Sequence, residues 1–147
     1  MNISEYEFAT DTATMCIFDL ANLKNRLADD ADWWCTPQDE LNEVNMGNCV
    51  FLGLASDGNY RVHLVDKIES PQITINLNVP SGHVFLGAAE EVTADGLEPE
   101  ALRGGGFLNL KPGTYTLNAS KVDSIISLSL SLNGGEARNS LHTPIRL

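Results

Sequence analysis

Basic residues are scarce in this chain of 147: nine lysines and arginines stand against twenty aspartates and glutamates, for a formal net charge of −11. That scarcity argues against nucleic-acid binding, whose dominant affinity term needs Lys and Arg set against phosphates. Long apolar runs are missing as well. The longest are five or six residues, far short of the ~20 needed to span a bilayer, so no membrane association is expected. Residues 1–11 carry Glu5, Glu7 and Asp11, no base and no apolar core run, which is unlike a secretory signal. Cysteine is limited to Cys16, Cys35 and Cys49, widely spaced and without a CxxC. Neither a disulfide framework nor a zinc knuckle is supported, and reduced structural cysteines in a cytoplasmic protein are expected.

Catalytic signatures are missing too. Ser56 sits in GLASDG, where the G-x-S-x-G spacing of a nucleophile elbow is not met and a turn role fits better. His63, His83 and His142 form no H-x-H or HExxH pair, so no metal centre is expected. Asp29, Asp30 and Asp32 begin no calcium loop, because the glycine and glutamate of such a loop are absent downstream. The run Gly104–Gly106 lacks a following Lys-Ser or Lys-Thr and cradles no phosphate. Glu90 and Glu91 open an acidic stretch that reads as a solvated loop. No cofactor is implied, and a non-enzymatic role is expected.

What the sequence does have is a lopsided charge distribution. Eighteen of the twenty acids lie in residues 1–100 against four bases, a net −14, while residues 101–147 carry +3. Between Arg26 and Arg61 there are seven acids and no base, and in their midst stand Trp33 and Trp34, the only tryptophans. A one-signed surface costs self-repulsion in the fold and serves solubility or steering toward an oppositely charged partner.

The hydrophobic pattern is mostly of period two. Residues 12–18 read as a first strand. Asp19 then caps a short helix with Leu20, Leu23 and Leu27 at helical spacing. TPQDELNEVNMG signals a second helix, with Thr36 as N-cap, Pro37 in the first turn, Asp39 completing a capping-box spacing and Gly47 as the left-handed stop. Its Leu41 and Val44 share one face, and Asp39 and Glu43 share another that should meet solvent or a partner. From residue 49 onward strands follow at intervals of 8–14 residues. CVFLGLA and YRVHLV flank Asp57-Gly58, and FLNL and TYTLNA flank Pro112-Gly113, both reading as hairpins. Ile126, Leu128, Leu130 and Leu132 alternate with serines, and LHTPIRL should add an edge strand, since Pro144 cannot donate to a central ladder. One domain over 1–147 is expected: a mainly β, antiparallel sandwich or jelly-roll-like barrel with two short helices inserted after the first strand.

DTATMCIFD, LKNRLADDADWW and NEVNMGNCVFLGLASDGNYRV, followed by FLGAAEE, GGGFLNLKPGTYTL and GEARNSLHTPIRL, resemble a family of small acidic bacterial proteins. The resemblance covers nearly the whole chain, and its motifs (DWW, DGxY, PGxY) are more structural than chemical. It implies an immunity partner of an antibacterial toxin and brings no catalytic residues with it.

The reading that follows is a cytoplasmic immunity protein that neutralises a basic toxin domain. An exposed Trp33 or Trp34 would anchor the contact, and Asp30, Asp32, Asp39, Glu40 and Glu43 would supply the complementary charge. The alternative is a small-ligand or carbohydrate-binding sandwich that stacks a sugar on the same tryptophans; an enzyme built from distant carboxylates stands third.

Overall fold

The alternating residues pair into ten strands in a computed structural model that describes residues 4–22, 33–92, 104–135 and 137–147. The strands are β1 (Ser4–Thr10), β2 (Thr14–Asp19), β3 (Val50–Gly53), β4 (Gly58–Leu64), β5 (Ile73–Val79), β6 (His83–Ala88), β7 (Gly106–Asn109), β8 (Gly113–Val122), β9 (Ile125–Leu132) and β10 (Ile145–Arg146). One α-helix, α1 (Pro37–Asn45), and short 3-10 turns at Trp33–Cys35 and Ala89–Glu91 complete the described elements.

The strands form two five-stranded sheets, ordered β1-β4-β9-β8-β5 and β10-β3-β2-β6-β7. The mainly β sandwich is the architecture the pattern predicts. It is open rather than a closed barrel, and each sheet is mixed, with β4–β9 and β10–β3 the parallel pairs. Val62, Leu77, Leu117, Ile126 and Leu128 of the first sheet are fully buried, as are Met15, Ile17, Leu52 and Leu86 of the second. Area removed from water on this scale is the main driving force for such a fold.

The outer side of the first sheet over β5, β8 and β9 carries no charge. Its register lines up Thr74, Asn118 and Ser129 in one row and Asn76, Thr116 and Ser131 in the next. Thr74 donates to Asn118 across the strands at 2.6 Å. Asn133 Nδ2 donates to Thr116 Oγ1 at 3.3 Å, and among the described residues the surface acids lie instead on β1, α1 and the turns.

Both expected hairpins are corrected. β3 and β4 lie in different sheets, as do β7 and β8, so Asp57-Gly58 and Pro112-Gly113 carry the chain across the sandwich. Each crossing is clasped by a tyrosine four residues on. The Tyr60 hydroxyl donates to the Ser56 carbonyl at 2.7 Å, and the Tyr115 hydroxyl donates to the Lys111 carbonyl at 2.6 Å. Both tyrosines are 5% exposed, so each ring fills the core while its hydroxyl takes up a corner carbonyl, as in the tyrosine corner of other sandwiches. A two-residue hairpin forms at β8–β9, where Val122 pairs with Ile125 across Asp123 and Ser124.

Two other expectations change. SEYEFAT is a strand, β1, with Tyr6, Phe8 and Thr10 turned inward and Glu5 and Glu7 outward; the helical element therefore follows the second strand. The expected helix after Asp19 falls largely outside the described residues, Leu23 and Leu27 included. Asp19 itself ends β2 and is fully buried. Its carboxylate accepts from the backbone N–H groups of Ala21, Ser81 and Gly82 and from the Ser81 hydroxyl at 2.7 to 3.0 Å. Four donors offset the cost of burying the charge.

The edge at β5 is closed by a side chain. Asn139 Oδ1 accepts from the Asn76 N–H at 2.8 Å, and Asn139 Nδ2 donates to the Asn76 carbonyl at 2.9 Å and to the Val44 carbonyl at 2.8 Å. One amide thus stands in for a neighbouring strand residue and ties α1 to the sheet. LHTPIRL supplies β10, the edge strand expected of it, paired with β3.

Candidate partner-binding surface

Helix α1 begins where the sequence marks it. Thr36 is the N-cap, in extended conformation, and Pro37 occupies the first turn, although no side-chain cap bond forms. Asp39 and Glu40 lie in that first turn, where negative charge is favoured by the unpaired N–H groups of the helix start. Gln38 Nε2 donates to Asn42 Oδ1 one turn on at 2.8 Å. The helix stops at Gly47, whose φ is +81°. Any side chain there would also run into the Ala137 carbonyl, so position 47 needs glycine on both counts.

Trp34 anchors this element from below. Its ring stacks on Phe51 of β3, centroids 5.6 Å apart and planes 17° from parallel, and it is only 5% exposed. Trp34 therefore belongs to the core. Its Nε1 is buried and has no hydrogen-bond partner among the described residues. The side chain of Trp33 lies outside what the structure describes, as do Asp30 and Asp32.

The expected acidic face of α1 is split. Asp39 and Glu40 are partly exposed. Glu43, expected at solvent, is 2% exposed, and its Oε1 accepts from Asn48 Nδ2 at 2.8 Å. The reason is tertiary. The chain after Ala137 returns over the end of the helix, where the Asn139 N–H donates to the Asn45 carbonyl and the Asn45 side chain holds both the N–H and the carbonyl of Leu141. Periodicity in α1 could not reveal a covering segment more than ninety residues away.

Glu40 borders a groove of about 330 Å³ lined by Trp34, Cys35, Pro37, Phe51, Pro144 and Arg146, with the turn at Thr12–Thr14. Partial burial pushes its carboxyl up to about 7, a rise tempered by the Arg146 charge. Cys35 is exposed at the groove, whereas Cys16 and Cys49 are buried as small apolar side chains. Burial, with the charges of Glu91 and Glu90, raises the Cys16 thiol well above its ordinary value, which keeps it protonated and unreactive.

Glu90 and Glu91 do not form a solvated loop as expected. Glu90 accepts from the Thr10 and Thr12 hydroxyls at 2.8 and 2.7 Å and from the Asp11 N–H at 2.6 Å. Partial burial alone would raise its carboxyl, but the bonds from Asp11, Thr12 and Thr10 outweigh that and hold it below its ordinary value. Glu91 is 7% exposed. Glu90 fastens the β1–β2 turn and is a structural device, while Glu91 Oε2 is buried with no hydrogen-bond partner among the described residues.

A second charged group went unread in the sequence. On the outer side of β1 and β4, Arg61 meets Glu5 at 2.9 Å and Glu7 at 3.1 Å, with His63 3.5 Å from Glu5. The alternation E-Y-E-F in β1 was the signal for it. Among the described residues no group of three His, Cys, Asp or Glu could hold a metal ion, and no helix is long and apolar enough to cross a membrane.

A family model described as a family of unknown function (DUF6386) matches residues 1–147. No curated protein matches in sequence. Two solved structures share the fold. The product of crocagin biosynthetic gene J is 15% identical, with a TM-score of 0.57 over 90% of this chain and 99% of that one. ComJ from Bacillus subtilis, titled an inhibitor of the DNA degrading activity of NucA, is 11% identical, with a TM-score of 0.51 over 88% of this chain and 94% of that one.

Proposed function

We propose that this chain, which belongs to the DUF6386 family, is a binding protein that inhibits a basic protein partner, in the manner of an immunity protein held beside its toxin. One observation carries the reading: a chain of net charge −11 has a fold that extends over 94% of ComJ, an inhibitor of a DNA-degrading activity. An enzyme that works on nucleic acid needs a basic cleft, and an acidic binding protein complements such a cleft in charge. The contact is formed by Asp30, Asp32, Trp33, Asp39 and Glu40. Trp34 and Glu43 support it from beneath rather than touching the partner. The protein works in the cytoplasm as a binding partner, with no catalysis of its own.

The carbohydrate reading loses support, because Trp34 is packed on Phe51 and stacking a sugar would fall to Trp33 alone. The test is capture of a partner from the source cells by tagged wild type and by Asp39→Lys/Glu40→Lys, followed by titration of the purified chain into that partner's activity. Retention of one basic protein whose activity falls at about one equivalent, weakened by the charge reversal, is expected. Retention of no basic protein at low salt would count against the reading.

A further inference from the structure

The β8–β9 hairpin turns through Asp123 and Ser124, and the residues on either side, Val122 and Ile125, are 71% and 39% exposed. Isolated apolar side chains on a surface need no explanation, but two paired at one hairpin tip make a patch. Beside the tip opens a groove of about 670 Å³, roughly twice the volume of the one at Glu40. Ile125 forms one wall. Phe8 and Tyr60 also border it, but their rings, stacked with centroids 5.7 Å apart, are buried in the core. The Arg61 N–H donates to the Ser124 carbonyl at 2.9 Å, which fixes the tip against β4.

The rim is charged and mostly negative. Glu7 and Arg61 line it, Glu5 pairs with the same arginine, and Asp123 sits at the tip itself. Glu5 and Glu7 thus engage the one base that lines the groove, and Asp123 adds a third acid at the tip, against Lys121 beside Val122. An apolar knob beside a groove of mixed polarity, edged by carboxylates, suits a protein loop that presents an aliphatic or aromatic side chain flanked by Lys or Arg.

We propose that the Val122–Ile125 tip and its groove are a contact surface for the basic protein partner, separate from the acidic surface at α1. The proposal rests on the inhibitor reading for the partner's existence and adds where, and with what chemistry, it is gripped. On this view α1 contributes mainly charge, and the hairpin tip contributes the desolvated anchor that Trp34 cannot.

The probe is the purified protein retained by tagged wild type, its Kd measured calorimetrically against wild type, Val122→Ser/Ile125→Ser and Leu132→Ser. Leu132 is 52% exposed at the other end of the same hairpin and serves as the control. All three residues are exposed, and thermal unfolding checks that each variant is folded. The expected result is a Kd raised at least about tenfold by the double substitution, the size of an anchor lost from an interface, and unchanged within about twofold by Leu132→Ser. If the double variant also binds within twofold of wild type, the tip is no contact surface, and the inhibitor reading stands without it. Should wild type retain no protein at all, both fall. If sedimentation instead shows a wild-type dimer that the double variant dissolves, a second copy occupies the face and the assignment to a basic partner is overturned.

Discussion

Trp34 stacks on Phe51 with ring centroids 5.6 Å apart, which makes one half of the tryptophan pair part of the core. Trp34→Ala should therefore unfold rather than merely weaken binding. The loss expected is about 3–5 kcal/mol, the usual cost of truncating a large buried aromatic. Denaturant titration checks it. A variant as stable as wild type would show that the stack contributes little and that Trp34 is available to a partner.

The two tyrosine corners should carry similar weight. Tyr60→Phe and Tyr115→Phe each leave the ring in place and remove the bond to the Ser56 or Lys111 carbonyl. Each should cost on the order of 1 kcal/mol. The double variant should be close to additive, because the corners are formed by different strand pairs. Equilibrium unfolding of the two single variants and the double one measures this.

These corners also show what could and could not be read beforehand. Strand patterning placed β3, β4, β7, β8 and β9, and the glycine turns at Gly58 and Gly113 were marked. A turn signal states that the chain reverses, not whether the next strand joins the same sheet or the opposite one. That choice depends on where Tyr60 and Tyr115 find their buried partners. Asn139 is a similar case: its amide replaces a strand neighbour for Asn76, a role that no local pattern announces. For the candidate surface, the acidic bias and the helix at 37–45 were legible. The burial of Glu43 was not, because it is imposed by segments distant in sequence.

Asn139→Ala should open that edge. It would leave the N–H and carbonyl of Asn76 without their partners and free the chain that covers α1. A loss of about 1–3 kcal/mol is expected from groups left unsatisfied, with faster amide hydrogen exchange at Asn76 and along α1. Unchanged exchange at Asn76 would contradict the role assigned to the amide.

Stability should respond to pH in opposite senses at two carboxylates. The Glu40 carboxyl is raised to about 7 by partial burial, so the folded state holds its proton more tightly than the unfolded chain. Its contribution is fully present below the ordinary carboxylate range and is lost as pH rises through about 7. Glu90 is lowered by its hydrogen bonds, so its contribution is present above the ordinary range and is lost as pH falls through its folded value. Glu40→Gln should then flatten the decline in stability between about pH 5 and 8, and Glu90→Gln should flatten the decline on the acid side. Unfolding curves across pH, with carboxyl NMR of Glu40, test both signs.

The central claim is that the acidity of this chain serves recognition of a basic protein. Its most direct test is the association rate of wild type with the retained partner, followed by stopped flow from about 50 to about 500 mM salt, a range over which the screening length shrinks to a few ångströms. The account predicts a rate that falls steeply, by about tenfold or more, while the dissociation rate changes little. An association rate that stays flat across that range would contradict it and leave the charge as a solubility device.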